Sequence, residues 1–228
     1  MPKAYFSPEL FQFLTELGAN NNREWFNDNK PRYEETVKEP LLAFIRDFAP
    51  RLEKISEHFV ADPRANGGSM FRIYRDTRFS KDKTPYKTHA ACHFKHAQGK
   101  DVHAPGFYLH MEPGEVFAGC GIWRPDSAAL KKIRARLDED GATWKKVIGK
   151  KAFKDRFELH GESLKRPPRG FDPEHPYIED IKRKDFVVVS QFSDVDACKG
   201  DFMTKFAQTC RAASGFMDFL TTSLELPY

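Results

Sequence analysis

Four short segments between residues 70 and 122 alternate apolar and polar side chains, and this pattern restricts the possible fold more than any other. They are residues 70–75, 89–95, 107–112 and 116–122. Strict alternation over such lengths is typical of a strand with one buried face. The last two segments are joined by Glu-Pro-Gly-Glu, which favours a tight turn. Because the four segments follow one another closely, we predict an antiparallel meander with one buried face.

Helical patterns flank this predicted sheet on both sides. The first 57 residues have helical spacing of apolar side chains, with Ser7 and Pro8 suited to begin the first helix and Pro40 and Pro50 expected to kink or divide a later one. Helical spacing returns after Pro125 and again from 201 to 224, and residues 186–192 form a fifth predicted strand. We therefore predict an α+β fold, in which residues 1–228 form a single domain with a central antiparallel sheet (a four-strand meander plus a fifth strand) packed by N- and C-terminal helices.

The composition excludes several classes of protein. No apolar run approaches the ~20 residues that a membrane-spanning helix needs, and the N-terminus lacks the pattern of a secretory signal. Four cysteines without CxxC spacing argue against a zinc knuckle and are expected to be reduced thiols. The chain also lacks the glycine-rich motifs of the common nucleotide folds and the GxSxG motif of hydrolases. We expect a cytoplasmic protein without membrane association.

The positive charge of the chain is concentrated in residues 72–89, RIYRDTRFSKDKTPYKTH. This stretch holds six basic and two acidic residues, a net +4, which equals the formal charge of the whole chain. Clustered guanidinium groups suit phosphate or carboxylate because each can donate two parallel hydrogen bonds, and interleaved aromatic rings can stack on a base or sugar. We predict a site here for a small phosphorylated or polyanionic ligand, built from Arg72, Arg75, Arg78, Lys83, Tyr86, Lys87 and Phe79.

Three alternatives remain open for this stretch. Asp76 or Asp82 can act as a general base in a phosphoesterase or transferase in which the arginines stabilise negative charge. A nucleic-acid-binding module is the second alternative, and it requires a continuous basic track. In the third alternative the arginines form ion pairs within the protein, and the stretch has a structural role.

Five of the eight histidines lie between residues 89 and 110. Alternation places His89 and His93 on one strand face, and His110 can face them from a neighbouring strand. Three imidazoles on one sheet face can bind a transition metal, although no HxH or HExxH spacing supports this alternative. The main prediction is that the protein has no metal site and no cofactor.

Two further features can contribute to the ligand site. Trp25 and Trp123 each lie near a basic residue and can line a pocket, although such tryptophans more often pack in the core. A second basic loop, LKRPPRGF at residues 164–171, can add Lys165, Arg166 and Arg169 if the fold brings it close to residues 72–89.

Several blocks together resemble the domain of unknown function 2461 family, a largely bacterial group. They are NNREWFNDNK at 21–30, RIYRDTRFSKDKTPYKTH at 72–89, GxW-P at 121–125 and LKRPPRGF at 164–171. The resemblance covers nearly the whole chain and implies a single-domain protein of the cytoplasm. It implies no particular activity and supplies no catalytic residues, so the sequence names no reaction.

Overall fold

The N-terminal quarter of the chain is helical in the computed structural model, which describes residues 3–99 and 103–228. Its helices are α1 (Pro8–Ala19), α2 (Arg23–Asp28), α3 (Lys30–Tyr33) and α4 (Glu39–Glu53), and a π-helical turn, Glu34–Lys38, joins α3 to α4. Pro40 lies in the first turn of α4, directly after this π-helical turn, while Pro50 lies inside α4. A locally widened turn is a common way for a helix to accommodate a break in its hydrogen-bond pattern.

The centre of the fold is a five-stranded antiparallel sheet. Its strands are β1 (Ala90–Lys95), β2 (Gly106–Glu112), β3 (Glu115–Ile122), β4 (Glu158–His160) and β5 (Phe186–Phe192), in the spatial order β1-β2-β3-β5-β4. The later helices are α5 (Ser127–Gly149), α6 (Lys151–Lys154), α7 (Ile178–Ile181), α8 (Asp194–Ala197), α9 (Phe202–Ala212) and α10 (Ser214–Ser223). The predicted α+β fold with a central antiparallel sheet is therefore confirmed, and β4 is a short strand that the sequence pattern did not reveal.

The first predicted strand, residues 70–75, forms isolated bridges instead of a continuous ladder. Met70 bridges to Cys92 of β1, whereas Tyr74 bridges to Tyr86 within the same basic stretch. The backbone N–H of Phe71 donates to Ala91, and that of Arg75 donates to Pro85. The segment thus exchanges one partner for another halfway along, which prevents a longer ladder with either of them.

Helices cover one face of the sheet with aromatic side chains. The Phe48 ring of α4 packs 4.8 Å from Phe94 of β1 and 5.1 Å from Phe206 of α9, measured between ring centroids. Elsewhere on the same face of the sheet, Trp144 of α5 packs 5.4 Å from Phe216 of α10, measured between ring centroids. Within residues 3–99 and 103–228, no helix is long and apolar enough to cross a membrane.

The N-terminal helices also fix the end of the basic stretch. The Asn21 side chain both donates to the Tyr86 carbonyl and accepts from the Tyr86 N–H, each at 3.0 Å, so it imitates a neighbouring strand. The Tyr86 ring is buried and stacks on Phe26 of α2 with centroids 4.1 Å apart. Two sequence blocks that are far apart in the chain, 21–30 and 72–89, therefore form one packed unit.

We expect Asn21→Ala to lower the free energy of unfolding by about 1–3 kcal/mol, because it leaves two partly buried backbone groups of Tyr86 unpaired. Chemical denaturation measures this change. Asn27→Ala, which alters an exposed asparagine of the same sequence block, is the control and should change the stability by less than about 0.5 kcal/mol. Equal effects of the two substitutions would contradict the proposed anchoring.

Candidate functional site

The face of the sheet opposite the aromatic layer carries the three candidate histidines His89, His93 and His110. We call it the open face. Strand register arranges its residues in rows: Lys95, Gly106, Gly121 and Val187 form one row; His93, Tyr108, Gly119 and Val189 form the next; and Ala91, His110, Phe117 and Gln191 form the third. Ionisable side chains from the two strands β1 and β2 are therefore neighbours on one surface.

Glycines create a hollow in the open face. A Cβ atom added at Gly119 would make only ordinary contact with Tyr108, at 3.6 Å, so a side chain there would project into the hollow. Gly121 differs because its φ is +131° and an added Cβ would lie 2.0 Å from the Phe186 carbonyl oxygen. The backbone conformation at residue 121 thus requires glycine, whereas Gly119 leaves the hollow free of a side chain.

The hollow is a pocket of about 570 Å³, a volume typical of small-molecule sites. Its walls are mainly apolar and aromatic, and its polar side chains are few. The lining includes Phe71, Tyr108, Phe117, Trp123, Val187 and Val189, together with Lys87, His89, His93 and His110. Trp123 is half exposed at the rim, where the Arg124 guanidinium lies 4.6 Å from its ring centroid.

Three potential ligand atoms for a metal meet at one end of the pocket. One atom each from His89, His110 and Glu112 lies within 4.8 Å of the others. The Tyr108 hydroxyl is hydrogen-bonded to Nδ1 of His110 at 3.0 Å, and the Thr88 hydroxyl donates to Oε1 of Glu112 at 2.6 Å. Burial, with a smaller contribution from neighbouring His110, lowers the pKa of His89 to about 4, so its imidazole is neutral at pH 7.

His93 lies outside that group of three. It lies four residues after His89, which directly precedes β1, and this separates their Cα atoms by about 13 Å and prevents both from binding one ion. Its ring covers Gly106, where an added Cβ would approach Nε2 within 2.0 Å, and stacks near Phe71. Burial, assisted by Lys95, lowers the pKa of His93 to about 4.

The arginines of the basic stretch have partners within the same stretch. Arg75 forms an ion pair with Asp82 and a hydrogen bond with the Thr84 hydroxyl. Arg78 pairs with Asp76 at 2.7 Å, and both side chains are exposed. Lys83 donates to the Thr77 carbonyl, 2.8 Å away. Much of the local positive charge is therefore compensated by neighbouring groups.

The remaining residues predicted for the basic stretch fall into different environments. Phe79 is 94% exposed, Tyr86 is buried against α2, and Arg72 is exposed. Hydrogen bonds from Arg78 lower the pKa of Asp76 to about 2, and those from the Thr84 N–H and from Arg75 lower the pKa of Asp82 to about 2. Carboxylates with such pKa values are weak bases at neutral pH. Lys87 is the one predicted anion-binding residue that lines the pocket.

The secondary candidates for the ligand site also lie in different parts of the structure. Trp123 lines the pocket, whereas Trp25 is half-buried and packs against Phe13, with ring centroids 5.7 Å apart. The second basic loop, with Lys165, Arg166 and Arg169 exposed, follows β4 at one edge of the sheet. The basic stretch leads into β1 at the opposite edge, and four strand spacings amount to about 19 Å. The two basic loops therefore start from opposite edges of the sheet.

Sequence reasoning missed several residues of the open face, notably Glu112, Tyr108, Phe117 and Phe71. The signal was nevertheless present in the strand alternation. If Leu109 and Met111 face the core, then Tyr108, His110 and Glu112 must share the opposite face. Clustered charge does not reveal this pocket, because its walls are mainly apolar.

The fold and this geometry define the class of the protein, which is an α+β domain with a pocket on the uncovered face of its sheet. The chain belongs to the family described as "Conserved hypothetical protein (DUF2461)", which matches residues 9–219. The resemblance inferred from the sequence blocks is thereby confirmed over nearly the whole chain. No curated protein matches the sequence significantly.

The lowered pKa of His93 predicts that acid destabilises the fold. The unfolded chain binds a proton near pH 6.5, but the folded state does so only near pH 4, so stability is lost as the pH falls through this window. From pH 7 to pH 5 we expect His93 to contribute a loss of roughly 1–2 kcal/mol. Urea denaturation at both pH values should show a smaller loss for His93→Gln than for the wild type, and parallel changes would contradict the assignment.

Proposed function

We propose that the protein binds a small molecule that combines a ring system with an anionic group, such as a phosphorylated or carboxylated compound, in the pocket of the open face. The observation that carries this proposal is the aromatic-walled pocket of about 570 Å³ with Lys87 in its lining. A largely apolar pocket with a few convergent polar groups is the usual form of a small-molecule site.

The walls of the pocket support the ring component of the ligand. Phe71, Tyr108, Phe117 and Trp123 present ring surfaces or edges from three separate parts of the chain. Tyr108 and Phe117 already pack against each other, with centroids 5.8 Å apart, which holds the aromatic wall in place. Gly119 leaves the space beside them free. A flat ring that enters this space gains contact with aromatic faces without displacing a side chain.

Lys87 supports the anionic component. Its ammonium group donates to the Arg72 carbonyl at 2.8 Å and lies 5.3 Å from the Phe71 ring centroid, which leaves two N–H groups for a ligand. No carboxylate of the described residues lies within ion-pair distance of it. Burial and nearby Arg72 lower the pKa of Lys87. An anion placed beside this group would offset the cost of holding its charge there.

The alternatives receive less support from the geometry. A nucleic-acid module needs a continuous basic track, and the local pairing of Arg75 and Arg78 interrupts one. An enzyme that uses Asp76 or Asp82 as a general base conflicts with their lowered pKa values. Within this proposal, the basic stretch positions Lys87 and contributes Arg72 to the local positive potential.

The direct test compares two lysines of the basic stretch that differ in location. A thermal-shift panel of nucleotides, sugar phosphates, aromatic carboxylates, inorganic phosphate and a short single-stranded RNA identifies a binder. We expect Lys87→Met to weaken binding of that compound about 10- to 100-fold, the loss of one charge-assisted hydrogen bond. Lys83→Met is the matched control, because Lys83 also donates to a backbone carbonyl at 2.8 Å but does not line the pocket.

Retention of full affinity in Lys87→Met would contradict the proposed anion contact. A shift with RNA alone, which fades as salt is raised, would instead favour the nucleic-acid module. Isothermal titration calorimetry on both variants gives the affinities and separates these results from a general loss of stability.

Gly119 allows a second test that leaves the charges unchanged. We expect Gly119→Val to abolish ligand binding because its side chain fills the hollow, while the melting temperature stays within a few degrees of the wild type, since valine suits a strand and its Cβ meets no close contact. Gly149→Val, at the end of α5, is the control for the added volume outside the pocket and should bind normally. Unchanged affinity in Gly119→Val would place the ligand elsewhere.

A further inference from the structure

We propose that His89, His110 and Glu112 bind a divalent transition-metal ion at one end of the pocket, with open coordination positions that face the pocket. This proposal does not depend on the identity of the organic ligand, nor on Lys87. It rests on the geometry of three side chains and on the hydrogen bonds that orient two of them.

Strand register brings the three side chains together. His110 and Glu112 are two residues apart on β2 and therefore project from the same face. Ala90 pairs with Met111, so His89, one residue before β1, is placed opposite Glu112. The group is thus formed by two adjacent strands, in which backbone hydrogen bonds limit relative movement.

The distances fit a single ion after a small adjustment. Tetrahedral ligands at about 2.1 Å from zinc lie about 3.4 Å from one another. Nε2 of His110 and Oε2 of Glu112 are already 3.3 Å apart. The His89 ligand atom lies within 4.8 Å of both, and a rotation of this half-buried side chain that moves the atom by about 1.4 Å closes the triangle.

Outer hydrogen bonds present the correct atoms to the ion. With Nδ1 of His110 held by the Tyr108 hydroxyl, Nε2 is the nitrogen left for a metal. Thr88 donates to Oε1 of Glu112, which leaves Oε2 on the side of His110. Metal-binding histidines and carboxylates are usually oriented by such partners, and a histidine–glutamate pair formed only for its charge would not need them.

The chemistry of the three groups indicates the class of metal. Two imidazole nitrogens and one carboxylate oxygen suit zinc or ferrous iron, and Mg²⁺, which prefers oxygen ligands, is disfavoured. Three protein ligands leave positions for water or a substrate atom. His89 and His110 line the pocket, so those positions are accessible to a molecule bound there.

A second histidine–glutamate pair in the protein provides an internal control. His160 and Glu158 on β4 are also two residues apart and approach within 3.6 Å, with both side chains exposed. No third ligand of the described residues joins them in a potential metal site. This pair has the same residue types and spacing but lacks the complete geometry.

The experiment titrates the full-length protein, stripped with a chelator and dialysed, with Zn²⁺ in a calorimeter and with Co²⁺ in a spectrophotometer. We expect about one Zn²⁺ per chain, visible Co²⁺ absorption bands and no binding of Mg²⁺ under the same conditions. His89→Gln and Glu112→Gln should remove both signals, and Tyr108→Phe should weaken Zn²⁺ binding about 10- to 100-fold. His160→Gln should bind as the wild type does.

Two variants keep the test decisive if one of them unfolds. Glu112→Gln retains the oxygen that accepts from Thr88, and circular dichroism establishes whether each variant is folded. Absence of Zn²⁺ binding by the wild type would overturn the proposal, and so would Zn²⁺ affinity equal to that of the wild type in folded Glu112→Gln or His89→Gln. Lys87→Met should keep Zn²⁺ affinity, so the metal site and the anion contact can fail separately.

Discussion

The packing of helices against one face of the sheet is the constraint on which the rest of this structure depends. Phe48, Phe94 and Phe206 pack between the helices and the sheet, and the face that the helices cover takes one side chain in every two along the strands. The alternate side chains are therefore free to serve another purpose. On the open face they are histidines, tyrosine, glutamate and glycines, arranged by the same register that fixes the core. A pocket and a core thus arise from one alternating pattern.

The basic stretch acts mainly through its attachment to this sheet. Its central arginines and aspartates neutralise one another locally, while its end is held by Asn21 and by the stacking of Tyr86 on Phe26. Exposed ion pairs of this kind contribute little to stability, but they order a loop that has few apolar contacts. The anchored end then delivers Lys87 and His89 to the rim of the pocket. Under the proposed function, the contribution of the stretch to the pocket therefore comes from its last few residues.

Local sequence patterns were sufficient for the parts of this protein that depend on periodicity. Alternation predicted the strands that became β1, β2, β3 and β5, and it correctly placed His89, His93 and His110 on one face. It failed at residues 70–75, because the change of bridge partner from Cys92 to Tyr86 depends on how the loop folds back. Two other features depend on tertiary structure, which the spacing of residues in the sequence does not predict. They are the pairing of Arg75 with Asp82 and the placement of the second basic loop at the far edge of the sheet, beyond β5. Glu112 was not predicted as a site residue, because a single carboxylate suggests a binding site only once its neighbours on the adjacent strand are known.

We propose that the open face of the sheet is the binding surface. Methyl NMR of β5 tests it most directly, because Val187 and Val189 line the pocket whereas Val188 between them is buried on the helix side. With any compound that stabilises the protein, we expect large methyl shift changes at Val187 and Val189 and much smaller ones at Val188. Changes confined to the tip of the basic stretch, around Thr77, with all three valines unaffected, would contradict it.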